Sequence, residues 1–383
     1  MHDAVVVGGG PAGTITAGLL AKDHETVVIE EHSSSGSPMQ CAGLVSAEVI
    51  KMSGVVPEIL SGITGADVVF PGGGKIEVRF SGVAALLIDR ADLDRKLAEK
   101  AIDNGAEIRY NSKFIGCRMQ DDGVSIATSG GEMRSRLLIG ADGYRSMTAM
   151  SLGANSPKEY VYGIQADVKK RCEQSGIMTL RIGSEFAPGF FSWEIPFGDM
   201  VRIGLCVKEG TGSTPNEYLK KLLKENGAEA CEIKARYSGK IPLGGRPRTY
   251  GERTLLIGDA AGQVKPVSGG GLYPICKAAP ILAGTAAESL GENDLSARRL
   301  SRYEKGWKKE FGKELSRGYK IRKTFVKMSD AEFDKVYDAI DREDIRAILN
   351  NIDIDDPGSV ALPMLKRPQV GLKLLPYILR GMV

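Results

Sequence analysis

Three glycines and an acid near the N-terminus have the types and spacing to hold a nucleotide. Gly8, Gly10 and Gly13 form a G-x-G-x-x-G run with Ala12 inside it, and Glu30 stands twenty residues beyond Gly10. The first glycine permits a tight turn, the second lets the backbone approach a pyrophosphate, and the third lets a helix pack against its strand. The free N–H groups at that helix start face negative charge, and the acid suits a ribose diol. Far along the chain, Gly258-Asp259 closes an apolar run and Ser268-Gly269-Gly270-Gly271-Leu272 follows. A carboxylate at the end of a parallel strand suits a polyol. Three consecutive glycines let backbone lie against a flat ring, with the positive end of the next helix aimed at it.

Three further places carry chemistry with two readings each. Cys41, in Gln40-Cys41-Ala42-Gly43, reads as a small side chain filling a turn or as a reactive thiol beside a close backbone approach. Arg90 falls where a strand meets a helix, so it reads as a ligand for phosphate or ribose, or as a surface arginine. Phe190, Phe191 and Trp193, bounded by Pro188 and Pro196, read as a core strand or as the wall of an apolar site. All three histidines (His2, His24, His32) lie in the first tenth of the chain, which disfavours a hydrolase built on a histidine base. The six cysteines include no C-x-x-C pair, so neither a disulfide framework nor a metal centre is expected.

The elements that must position these residues follow from hydrophobic period and turn signals. Residues 4–7, 11–20 and 26–29 read as strand, helix, strand, and 67–70 with 75–80 as a hairpin around 71–74. A helix is expected over 91–104, ended by Gly105, with Leu93, Leu97, Ala98 and Ala101 on one stripe. Strands over 107–110, 114–119 and 124–128 look like an antiparallel excursion before a buried strand, 136–139, breaks at Gly140-Ala141-Asp142-Gly143. Residues 158–250 are β-rich, with strands over 160–168, 177–182, 190–195, 201–207 and 232–237 and a helix over 215–227. A helix opens at Tyr273, and Pro280 is expected to kink it. Residues 296–328 read as a basic helix, and 330–356 reverse the sign.

The 383 residues carry 51 Lys plus Arg against 48 Asp plus Glu, a net charge of +3 that gives no reason to expect a nucleic-acid partner. No leader is readable, and no apolar run reaches the ~20 residues that cross a bilayer. A cytoplasmic protein is expected, peripheral at the inner face of the cell membrane. Its last segment supports this: Leu372, Leu374, Leu375, Tyr377, Ile378, Leu379 and Met382 alternate with Lys366, Arg367, Lys373 and Arg380, with no acid among them. Such a tail suits an anionic lipid surface, or else caps the core or a subunit contact.

The first turn with Glu30, the Gly140-to-Ser146 segment and Gly258-Asp259 with its glycines together resemble the FAD flavoproteins of the aromatic-hydroxylase superfamily. Within it the chain is similar to the geranylgeranyl reductase family, in particular the archaeal digeranylgeranylglycerophospholipid reductases. Gln40-Cys41-Ala42-Gly43 resembles that family's cysteine turn, and Pro188 to Pro196 its P-x-x-Y-x-W-x-F-P substrate motif. Phe191 replaces the tyrosine and Ile195 the phenylalanine, so no phenolic proton donor stands there. The resemblance implies that FAD meets Gly8, Gly10, Ala12, Gly13, Glu30, Cys41, Ala42, Gly43, Arg90, Phe114 (through a nearby amide), Asp259, Gly270, Gly271 and Leu272. It also implies that Pro188, Phe190, Phe191, Trp193 and Pro196 meet a prenyl lipid, with Cys41 the candidate catalytic thiol.

The implied fold is α/β, α+β overall. It has a Rossmann-like FAD-binding domain with a mostly parallel sheet (1–65, 84–155, 250–295), an antiparallel-sheet substrate domain (66–83, 156–249) and a helical C-terminal region (296–383). The implied activity is FAD-dependent reduction of geranylgeranyl double bonds in archaeal ether lipids. The rivals are a flavin monooxygenase using NAD(P)H and oxygen, and a lipid carrier with structural flavin. The electron donor is NAD(P)H or a ferredoxin. A second G-x-G-x-x-G is lacking, and the basic stretch from Arg298 to Lys327 reads as a ferredoxin-receiving surface or a solvated helix face.

Overall fold

A computed structural model describes residues 1–382 apart from 155 and 173; Val383 and the side chain of Met382, a residue named in the tail above, lie outside the described residues. The chain opens with strand β1 (His2–Val7), helix α1 (Pro11–Leu20) and strand β2 (Thr26–Ile29). β1 is buried along Ala4 to Val7 and α1 on most of its residues, as a strand and helix inside a layered core must be. There follow β3 (Leu44–Val45), α2 (Ala47–Ser53), β4 (Ile59–Ile63), β5 (Gly65–Val69), β6 (Lys75–Arg79) and β7 (Ala85–Ile88). Helix α3 (Arg90–Asp103) starts where Asp89 accepts the Ala91 and Asp92 amides, and its apolar stripe is buried. β8 (Glu107–Arg109), β9 (Phe114–Gln120), β10 (Gly123–Thr128), β11 (Gly131–Gly140) and the short α4 (Met147–Ser151) come next.

Five of these and later strands run parallel in the order β18-β11-β1-β2-β8, where β18 is Thr254–Leu256. β9 and β10 are the antiparallel excursion, paired through β10 to the first half of β11. The carboxyl ends of β1, β2 and β18 carry Gly8, Glu30 and, after Ile257, Gly258-Asp259. That is the side on which a parallel sheet binds ligands.

The second sheet is built by β12 (Glu159–Lys169), β13 (Ile177–Ile182), β14 (Phe191–Phe197), β15 (Met200–Lys208) and, after α5 (Pro215–Glu225), β16 (Ile233–Leu243), in the order β16-β12-β15-β14-β13-β5-β6. All its pairings are antiparallel except β13 with β5, which are parallel. The expected hairpin thus extends the later sheet. Phe190 lies one residue before β14 rather than within a strand, at the end of a turn closed by its amide on the Ala187 carbonyl.

β17 (Tyr250–Gly251) and β18 return the chain to the first sheet, and α6 (Leu272–Gly291) then packs on α1. Pro280, where a kink is expected, lies inside this continuous helix. The basic stretch is α7 (Ala297–Val326), capped by Ser296. Its Leu300, Tyr303, Trp307 and Phe311 recur at helical spacing and bury in the first core. The last helices are α8 (Asp330–Ile340), α9 (Glu343–Leu349), α10 (Ala361–Leu365) and α11 (Pro368–Met382). Phe333, Ile340, Ile345 and Val370 from them pack against Phe70, Ile76 and Val78, so this region backs the β5–β6 hairpin.

Candidate functional site

The first turn is shaped by what a side chain would meet there. Gly8 has φ +106°, and a Cβ on it would lie 2.4 Å from the Ala141 carbonyl oxygen; on Gly13 it would lie 1.9 Å from the Gly8 oxygen. A Cβ on Gly10 would meet nothing within 4 Å. Two glycines are therefore forced by packing, while the middle one fronts open space at an α1 N-terminus that no side chain caps. Glu30 closes the turn: its Oε2 accepts the Gly9 amide at 2.6 Å and its Oε1 the His32 amide at 2.9 Å. Phe114 is buried with Val5, Val7 and Ile29 beside the ends of β1 and β2. Asp142 is spent on structure, accepting from Ser146 Oγ at 2.7 Å and from the Thr148 amide at 2.9 Å at the start of α4.

Asp259 lies beyond β18; its backbone carbonyl accepts the Gly262 amide at 3.0 Å, while its carboxylate accepts no hydrogen bond from any described residue. Burial pushes its carboxyl up to about 6, with Arg90 pulling the other way. Gly271 stands beside it, a Cβ there falling 3.3 Å from Asp259 Oδ1, and α6 begins at once with no side-chain cap. Leu272 turns inward with Val45, Val49 and Ile88. Lys265 fixes the glycine loop: its amide donates to the Gly270 carbonyl at 3.0 Å, its carbonyl accepts the Gly269 amide at 2.8 Å, and its Nζ reaches Asp355 at 3.1 Å. Lys265 and Asp355 were not singled out by sequence, since neither spacing nor type distinguishes a loop lysine that braces a turn.

Arg90 is held by Asp94, donating to both carboxylate oxygens at 2.8 Å. Burial opposes its charge, but Asp94 and then Cys41 hold it well above the ordinary guanidinium range. Cys41 Sγ also accepts the Gly43 amide at 3.4 Å. The thiol therefore sits between two donors, one of them cationic, at the edge of the site.

The cysteine turn is carried by the second sheet. Gln165 Nε2 donates to the Cys41 carbonyl at 2.9 Å, and Arg202 Nη1 donates to the Ala42 carbonyl at 2.5 Å. Arg202 is itself clamped by Asp167, at 2.7 and 2.8 Å, both groups being buried. Gly43 has φ +78°, and a Cβ would lie 2.5 Å from the Ile88 oxygen. Gln165, Asp167 and Arg202 escaped the sequence reading, although Asp167 and Arg202 are direct cross-strand partners and a buried opposite-charge pair is the signal that a register would have exposed.

The aromatic segment forms one wall. Phe190 stacks on Phe191 with centroids 4.6 Å apart, and Phe191 meets Trp193 edge-on at 6.2 Å. Val161, Cys206, Leu243, Val264 and Ile241 complete the apolar patch. Arg322, which the sequence places among surface cations, is buried against it: it donates to the Gly189 carbonyl at 2.7 Å and to Glu159 at 2.8 Å, and its guanidinium lies 5.0 Å from the Phe190 centroid. Pro188 and the buried Pro196 bound the segment. A Cβ on Gly269 would lie 3.1 Å from Ile241 and 3.6 Å from Phe190, so the glycine loop of the first sheet abuts the aromatic wall of the second. A cleft of about 600 Å³ opens beside Gln40, between Tyr144 and the β12–β16 edge with Tyr162, Tyr237 and Lys240.

Residues 1–274 match the FAD binding domain family. Digeranylgeranylglycerophospholipid reductase 2 of Methanopyrus kandleri is 30% identical over 406 residues, with 99% of each chain covered. The reductase of the same name from Methanothermobacter thermautotrophicus is 31% identical, covering 91% of this chain and 94% of its own. The chain belongs to the geranylgeranyl reductase family of FAD-binding proteins. Its fold matches the crystal structure of a geranylgeranyl bacteriochlorophyll reductase-like protein from Thermoplasma acidophilum, with TM-score 0.86 at 21% identity over 98% of this chain and 99% of that one.

FAD is the cofactor of this family member, and its own residues suit that group. The open face at Gly10 and the uncapped α1 start suit a pyrophosphate, the unbonded Asp259 carboxylate suits a polyol, and the uncapped α6 start suits an electron-rich ring edge. No described helix is long and apolar enough to cross a membrane.

Proposed function

We propose that this protein reduces carbon–carbon double bonds in the geranylgeranyl chains of archaeal ether-lipid precursors, giving saturated phytanyl chains. Bound FAD supplies the electron pair as a hydride equivalent. Gly8, Gly10, Ala12 and Gly13, Glu30, Phe114, Arg90, Ala42, Gly43, Asp259 and Gly270 to Leu272 would hold it. The observation that carries the reading is the contact of Gly269 with Phe190 and Ile241. It sets a ring-sized glycine surface directly against an apolar wall, with Cys41 at the rim. An isolated alkene has no charge to be gripped by, so alignment and exclusion of bulk solvent fall to Phe190, Phe191 and Trp193. The names of full-length relatives at 30 and 31% identity support the prenyl lipid as substrate.

Two finer readings accompany this one. The enzyme works at the inner face of the cell membrane, supported by α11, where Leu372, Leu375 and Leu379 are 73%, 47% and 55% exposed beside Lys373 and Arg380. Electrons arrive from NAD(P)H or an acidic ferredoxin. In favour of the second, Arg298, Arg302, Lys305, Lys309, Lys313 and Lys320 form one exposed stripe along α7, and among described residues only Arg302 has a carboxylate within 4 Å, Glu288. The other cations of this helix are less free than their count suggests, since Arg299, Lys308, Arg317 and Arg322 are paired with acids.

The test is anaerobic. Chemically reduced holoenzyme mixed with digeranylgeranylglycerophospholipid is expected to regain the oxidised flavin spectrum at a rate that depends on lipid concentration. A spectrum that stays reduced until oxygen is admitted would speak for the monooxygenase or the carrier.

A further inference from the structure

Among the described residues, two polar groups in the wall of the site are buried without partners. The Cys41 carbonyl can only accept, so the Gln165 carboxamide must turn Nε2 toward it, and this leaves Oε1 as a buried acceptor with no donor. Gln165 is 3% exposed. Trp193 Nε1 is likewise buried with no acceptor. The two share one neighbour. Gly204 stands between Gln165 and Trp193 in register on the same face of the sheet. The position a Gly204 Cβ would take lies 2.5 Å from Gln165 Cβ and 2.6 Å from Trp193 Cε2, the atom bonded to Nε1. A glycine is required there because both side chains lean over it.

A lone donor and a lone acceptor on one side of a glycine are complementary to a single small group that accepts once and donates once. Hydrocarbon cannot satisfy either, and leaving a buried polar group unpaired costs about 1–3 kcal/mol. We propose that Trp193 Nε1–H and Gln165 Oε1 bind one water molecule beside the Cys41 turn, and that this water is the proton source for alkene reduction. The site rests on the residues alone, whereas its role rests on the proposed function. Saturating a double bond adds two electrons and two hydrogens, of which one arrives as a proton. The water O–H bond breaks, a C–H bond forms at the alkene carbon, and the hydroxide left behind is reprotonated from solvent. Phe191 offers no hydroxyl, and burial pushes the neighbouring Cys206 thiol up to about 12, so a fixed water fills a need the wall does not otherwise meet.

The chain has two tryptophans, and Trp307 Nε1 is already bonded to Thr249 Oγ1 at 3.0 Å. In the oxidised holoenzyme labelled with ¹⁵N-tryptophan, Trp193→Phe assigns the two indole signals. Trp193 N–H is expected to show cross-relaxation from a bound water, lost in Gln165→Leu, and a crystal structure is expected to show density within hydrogen-bond distance of both atoms. A Trp193 signal without water contact, or one unchanged in Gln165→Leu, overturns the site, and neither measurement needs turnover. For the role, Trp193→Phe keeps the ring and is expected to lower kcat by about 10²-fold with KM little changed and a larger solvent deuterium isotope effect. Turnover at the parent rate in that variant overturns the role while leaving the lipid-reduction reading intact.

Discussion

Arg202 and Asp167 are buried charges whose service is local: they hold the Ala42 carbonyl and so the orientation of the cysteine turn. Removing one partner strands the other in a low-dielectric interior, so Arg202→Met is expected to cost about 3–5 kcal/mol in denaturant unfolding. The double variant Arg202→Met/Asp167→Leu is expected to recover most of that stability while still losing activity, because the turn loses its donor. A double variant no more stable than the single one would show that the pair is not the source of the cost. Asp259 yields a prediction whose sign follows from linkage. Its folded value of about 6 exceeds that of an ordinary aspartate, about 3.9. The folded state thus binds more protons than the unfolded state between about pH 4 and pH 6, and stability falls as pH rises through that window. In apoprotein, Asp259→Asn is therefore expected to melt a few degrees above the parent at pH 8 and to coincide with it below about pH 4. Equal melting temperatures at both pH values would contradict the assignment.

At the scale of elements, α7 and α11 each show a double character. The inward stripe of α7 builds the core and, through Arg322, braces Phe190, while its outward stripe is cationic. On α11, Val370 is buried and Leu374 packs beside it, whereas Leu372, Leu375 and Leu379 face out. Replacing those three leucines with serine leaves the packed face untouched. The variant is expected to keep its melting temperature and to lose most of its sedimentation with vesicles rich in anionic lipid. Undiminished binding would remove α11 from the membrane reading. Arg380 is already engaged by Glu332, which leaves Lys373 as the nearer cation for a headgroup.

At the scale of the whole molecule, most strands and helices were legible because their periods were clean: the α3 stripe, the 71–74 turn and the long run of α7 all stand where hydrophobic spacing puts them. Gly8 and Gly13 of the first turn were legible because sterics leave no other residue there. What spacing could not show were the contacts between distant segments. Gln165, Arg202, Lys265 and Arg322 act only through strands and loops that meet across the fold, and each looks like an ordinary polar residue in its own neighbourhood. Pro280 is a different case. Eleven residues of α6 are buried, and packing against α1 and α7 holds the helix through a residue that local propensity would break. The function depends on the same long-range assembly, in which the Gly269 loop comes from one sheet, Trp193 from the other, and Cys41 from a turn pinned between them. The most direct test is mass spectrometry of digeranylgeranylglycerophospholipid incubated anaerobically with reduced holoenzyme. The account predicts products heavier by whole multiples of two hydrogens, up to full saturation. Lipid of unchanged mass, or lipid that gains an oxygen atom when air is admitted, would contradict it.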